Sequence, residues 1–199
     1  LYNHKSRIFF GIFFNIFAKE NKKTQMTKNS ILFVIAMFNL TIASAQVKLE
    51  KIKGSKIVTV TTKEVESFEN VEIEEFLDVY FVKSEKTSIE IEADDNLHDI
   101  ISYNVLGNTL KLTALKQPTG EKKLAIRVNY NDSLKTIVAR HESKINALAD
   151  INLENITIKN FDKSQSFLNI RSTNFTLIMT DKSKAEINVK ADKTVVELS

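Results

Sequence analysis

Cysteine is absent from all 199 residues. No disulfide can brace the fold and no lipidated cysteine can anchor it, so burial alone must hold it together. Glycine occurs only four times and is scattered. That spacing excludes a glycine-rich phosphate loop and the glycine-flanked turn that presents a nucleophilic serine. No apolar run reaches the ~20 residues of a permanent membrane helix.

An apolar run of about a dozen residues does occur, in MTKNSILFVIAMFNLTIASAQ, residues 26–46. One cation precedes it, and Ala43 and Ala45 give the small-x-small pattern of signal cleavage. Residues 26–45 are therefore read as a secretory signal peptide cut between Ala45 and Gln46. Residues 1–25 start at Leu1 and are read as an upstream segment that is not translated. Residues 46–199 are then one domain, long enough to bury a real core.

Excess positive charge is also missing once the leader is set aside. The whole chain has 28 basic and 25 acidic residues; residues 1–45 hold six and one of these, which leaves 22 against 24, a net of −2. A nucleic-acid partner is excluded on that count.

What is present is alternation. KIVTVTT (56–62), NVEIEEFLDVYFV (70–82), SIEIEA (88–93), TLKLTAL (109–115) and LAIRVNY (124–130) set β-branched and aromatic residues at period two. These are half-buried strands. Residues 106–109 read as a hairpin turn at Gly107, and DDNLHDII (94–101) as one helical turn capped by Asp94 or Asp95. The class is all-β. Ile137, Ile156, Leu177 and Val196 recur at spacings of 19, 21 and 19, beside Ser143, Ser164 and Ser183. A period near 20 points to a right-handed β-solenoid of stacked coils, with an antiparallel β-sandwich as the alternative.

The segments VESFENVEIEEFLDVYFVKSE (65–85), SIEIEADDNLHDIISYNVLGNTLKLTAL (88–115) and LAIRVNYNDSLKTIVA (124–139) resemble the putative auto-transporter adhesin, head GIN domain family. The resemblance implies a β-helix-like envelope domain of a Gram-negative bacterium and a binding role without a defined ligand. Family coils tend to carry glycine-rich turns, whereas here the stretch is ARHESKINA (139–147), so remodelling of the turn is expected. The last residues, TVVELS, leave an apolar layer uncovered, which makes Val195, Val196 and Leu198 a candidate self-association edge.

Candidate chemistry is sparse. Asp94, Asp95 and Asp99 are the metal candidates, although their spacing fits no calcium loop and capping explains them equally well. His141 and Ser143 share a strand face but lack an orienting third group, so no catalytic residue is assigned. The repeated DKS (162–164 and 181–183) would stack Asp162 over Asp181, as in polysaccharide-cleaving solenoids, yet Asp and Ser are ordinary turn residues. Phe76, Tyr80, Phe81 and Tyr103 would bind sugar if exposed and form core if not. The expected protein is a non-enzymatic, cofactor-free binding or adhesion module of the periplasm or cell surface. Its partner would be a glycan or protein; a self-associating envelope protein and a carbohydrate-active enzyme are the alternatives.

Overall fold

Each strand buries every second side chain, and those buried rows decide how the strands stack. The computed structural model describes residues 49–199. The expectations for residues 1–25, the signal peptide and the Ala45–Gln46 bond lie outside the described residues. Fifteen strands occur in order: β1 (Lys51–Lys53), β2 (Val58–Glu64), β3 (Asn70–Glu74), β4 (Asp78–Lys83) and β5 (Ser88–Asp94); β6 (Ile101–Leu106), β7 (Thr109–Ala114), β8 (Gln117–Thr119), β9 (Leu124–Tyr130) and β10 (Thr136–Ala139); β11 (Lys144–Ala147), β12 (Ile151–Asn152), β13 (Asn155–Asn160), β14 (Gln165–Met179) and β15 (Lys184–Leu198). A 3-10 helix, Asp95–Ile100, follows β5. The class is all-β, as the alternation requires.

Thirteen strands form one continuous sheet that turns back on itself at β14. It has two walls, β6-β7-β3-β10-β13 and β2-β5-β9-β4-β11, and the long β14 and β15 contribute one half to each. Both walls bury their inner rows in one hydrophobic core. The molecule is thus sandwich-like in having two walls about a core, although only β2–β5, β5–β9 and β6–β7 pair antiparallel.

The register is parallel from β10 onward. Thr136 lies opposite Thr157, and Asn155 opposite Asn174. One inner row reads Leu110, Val71, Ile137, Ile158, Leu177 and Val196. Ile158, not Ile156, therefore sits beside Ile137; Ile156 pairs with Phe175 instead. Both isoleucines point inward, and a shift of two residues preserves the face, so spacing alone picks the wrong one. Asparagines lock the register from outside: Asn174 Nδ2 donates to Asn155 Oδ1 at 2.7 Å, and Asn188 Nδ2 to Asn169 Oδ1 at 2.8 Å.

Before β10, stacking order departs from chain order. Strand β3 lies between β7 and β10, and β4 between β9 and β11. The uniform succession of coils expected from residue 46 is therefore not what the chain makes. The antiparallel strands β6 and β2–β5 close this end of the walls, while among the described residues β15 pairs with β14 alone.

Residues 70–82 form two strands, not one. The break is at Glu75, whose φ of 55° is left-handed. His141 (56°), Asp162 (59°) and Asp181 (59°) continue a left-handed column through the successive turns. Lys163 N donates to His141 O at 3.0 Å and Lys182 N to Asp162 O at 2.8 Å along that column. The turn at 139–147 thus keeps the conformation that glycine favours and supplies it with histidine. Two rows further, Ser143 and Ser164 are fully buried, because only a small side chain fits where the turn packs against the next.

Candidate functional site

The outer face of the β5-β9-β4-β11 wall sets charged, aromatic and aliphatic side chains side by side. Arg127 on β9 lies between Glu90 on β5 and Tyr80 on β4, and Ala125 lies opposite Glu92. Arg127 pairs with Glu90, and Lys123 Nζ lies 3.3 Å from Glu92 Oε2. Ala125 is small, so a shallow groove of about 190 Å³ opens there, bordered by Tyr80 and Leu148.

The same outward row continues from Tyr80 through Asn146 to Phe167. Asp78 binds it together: Asn146 Nδ2 donates to Asp78 Oδ1 at 2.6 Å, and the Tyr80 hydroxyl donates to Asp78 Oδ2 at 3.3 Å. Partial burial, then the Asp78 charge, raises the Tyr80 phenol above its ordinary pKa, so it stays a neutral donor. Leu148 is 61% exposed and Phe167 41% exposed, on the same wall as the Arg127–Glu90 and Lys123–Glu92 ion pairs. The arrangement offers apolar faces beside paired charges and a carboxamide.

Of the aromatic residues singled out in the sequence, Tyr80 belongs here. Phe81 is core, with its ring 6.1 Å from that of Tyr130, whose hydroxyl burial and Asp132 push up to about 12. Tyr103 is half-buried against the core, and Phe76 is half-buried in the turn after β3. Phe167 was missed. Its signal is the buried pair Leu168 and Ile170, which sends Phe167 to the opposite face.

The other candidates are occupied elsewhere. Asp94 has no exposed surface, and its carboxylate accepts backbone N–H groups from Lys56, Lys122 and Lys123 at 2.9–3.1 Å. A carboxylate ringed by donors is a structural anchor, and its side chain makes no cap to the 3-10 helix. Asp95 pairs with the Ser55 hydroxyl, and Asn96 accepts from Ser55 N at 2.9 Å. Among the described residues no group of His, Asp and Glu side chains is placed to hold a metal.

His141 Nδ1 lies 3.0 Å from Glu75 Oε1, while the buried Ser143 hydroxyl donates to Arg140 O at 2.8 Å. The two do not meet. Asp162 and Asp181 do stack, yet Asp162 Oδ2 accepts from His141 N at 3.1 Å and Asp181 Oδ2 from the Thr180 hydroxyl at 2.8 Å. Each is spent on its own turn. At the far end Val196 and Leu198 continue inner rows, whereas Val195 lies beside Thr176 on the outer face.

A family model described as putative auto-transporter adhesin, head GIN domain, matches residues 67–199. The chain belongs to that family. No curated protein matches this head GIN chain. The solved structure of a putative lipid binding protein from Parabacteroides distasonis is similar, with a TM-score of 0.63 and 13% identity over 75% of this chain. This chain spans 65% of that protein's. A putative adhesin of the same organism gives 0.61 at 13% identity, over 74% of this chain and 68% of that one. A putative adhesin from Bacteroides fragilis gives 0.51 at 14%, over 73% and 99%. At such identity the likeness is one of fold. Among the described residues no helix is long and apolar enough to cross a membrane.

Proposed function

We propose that this head GIN chain is an exported binding module that takes a glycan on the outer face of the β4-β9-β11 wall. The observation that carries the reading is the outward row of Tyr80, Asn146 and Phe167 beside the Arg127–Glu90 pair. Sugar rings present C–H faces that stack on aromatic and aliphatic side chains, and hydroxyls that exchange hydrogen bonds with carboxylates and amides. Family membership and the adhesin descriptions of the structural neighbours support a binding role. No covalent step is assigned to any residue.

The test is titration of the chain against a panel of soluble oligosaccharides. Tyr80→Ala and Phe167→Ala are each expected to weaken binding on the order of tenfold while leaving the melting temperature unchanged. Binding that survives both substitutions would move the site off this wall. Export has its own check: intact-mass analysis of the chain recovered from the envelope should show Gln46 as the first residue. A chain that retains residues 26–45 would remove the signal-peptide reading.

A further inference from the structure

We infer that Asp78 sets the chemical class of glycan this wall accepts: a neutral one, held through its own hydroxyl hydrogens. The inference rests on the glycan reading and narrows it. Asp78 opens β4 and lies opposite Lys144 on β11. Its carboxylate stands between the two polar members of the outward row and takes hydrogens from both. The Asn146 NH2 group donates to Asp78 Oδ1 at 2.6 Å and to Val79 O at 3.4 Å. The Tyr80 hydroxyl donates to Asp78 Oδ2 at 3.3 Å. A carboxylate and a backbone carbonyl only accept, so the carboxamide of Asn146 has one orientation here.

What remains for a ligand is the other end of each group. Asn146 keeps Oδ1 and Tyr80 keeps the lone pairs of its oxygen, and both are acceptors. Glu90 holds Arg127 through Oε1 and Glu92 holds Lys123 through Oε2, which leaves each a second carboxylate oxygen. Charge points the same way. Asp78, Glu90 and Glu92 supply three negative charges, and Lys123, Arg127 and Lys144 three positive ones. The face thus has no net charge with which to draw an anion. A ligand carboxylate or sulfate would set lone pairs against lone pairs, and its lost hydration would go unreplaced. A sugar hydroxyl instead finds acceptors at Tyr80 and Asn146, while its ring stacks on Phe167.

Asp78 itself meets no ligand. It is a positioning residue that acts through Tyr80 and Asn146, and Asp78→Asn exposes that role. The new carboxamide has one oxygen to accept from one neighbour, and its NH2 faces the other. Either the Tyr80 hydrogen or the Asn146 NH2 group must then turn toward the ligand.

The experiment titrates the full chain with glucan, mannan and galactan tetrasaccharides, each before and after oxidation of its primary hydroxyls to carboxylates. The neutral form is expected to bind about tenfold tighter than the oxidised form, and Asp78→Asn should remove most of that preference. A purely structural role for Asp78 would weaken both forms alike and leave their ratio unchanged. The lost preference should persist at high salt, where a simple change of charge is screened. Equal or tighter binding of the oxidised form by the wild type overturns the inference and leaves the glycan reading standing; this comparison needs no variant to fold. A ratio that Asp78→Asn leaves unmoved, or moves at low salt only, overturns it as well. If neither form of any tetrasaccharide binds, the glycan reading falls and the inference falls with it.

Discussion

Truncation of Phe81 to alanine is expected to lower the unfolding free energy by about 3–5 kcal/mol, a large share of the roughly 5–15 kcal/mol of a typical domain. Phe81 is 1% exposed on the inner face of β4. Its neighbours in the ladder are Val128 on one side and Ala147 on the other. The ring therefore fills the space that alanine leaves in the adjoining layer and rests on Tyr130. After truncation, two alanines would face the same gap. The walls cannot close over it, because hydrogen bonds hold successive strands about 4.8 Å apart. With no disulfide to restrain the unfolded chain, nothing compensates. Urea titration should show the midpoint fall with an unchanged slope, and melting should drop by roughly 10–15 °C. Phe167→Ala, on the exposed face of β14 two strands away, should stay within about 0.5 kcal/mol. A Phe81→Ala loss no larger than that would show that layer packing does not hold this fold.

Strand content was legible because period-two burial is a local property. LAIRVNY coincides with β9, and SIEIEA and TLKLTAL fall within one residue of β5 and β7. The hairpin at Gly107 was legible too, since its left-handed φ of 58° calls for glycine. The break at Glu75 was not, because no glycine or proline marks it and the alternation runs on either side. Stacking order was invisible for a different reason. Asn70 pairs with both Thr109 and Thr136, and neither distant neighbour leaves a trace in the local pattern. The serine column succeeded where the isoleucine row slipped: a small residue is required at the turn, whereas apolar residues at 156 and 158 satisfy the inner face equally well. At the candidate site Tyr80 was named as one aromatic among four, and Phe167 was passed over. Picking both requires knowing which face is inward, and alternation supplies that only after one buried neighbour is fixed.

Replacement of Asp94 by asparagine is expected to lower the melting temperature by roughly 5–10 °C at neutral pH, and the deficit should close in acid. The carboxylate joins three separate pieces of chain. Its Oδ2 accepts from Lys56 N at 2.9 Å, its Oδ1 from Lys123 N at 3.0 Å, and both accept from Lys122 N at 3.1 Å. Gly54 closes the other side: a Cβ there would run into the Asp94 carboxylate and lie 2.8 Å from Glu121 Cα. An asparagine has the right shape, but its NH2 would point a donor at a donor. Burial pushes the Asp94 pKa up, yet the N–H groups of Lys122, Lys56 and Lys123, with the Lys56 charge, hold it below the ordinary 3.8. A carboxyl with a depressed folded pKa stabilises fully above the unfolded value, and that contribution disappears as pH falls through the folded one. The wild type should therefore converge on Asp94→Asn as the pH falls below the ordinary carboxylate range and through the depressed folded value. A gap that stays constant across that range would mean that the shape of the side chain matters there and its charge does not.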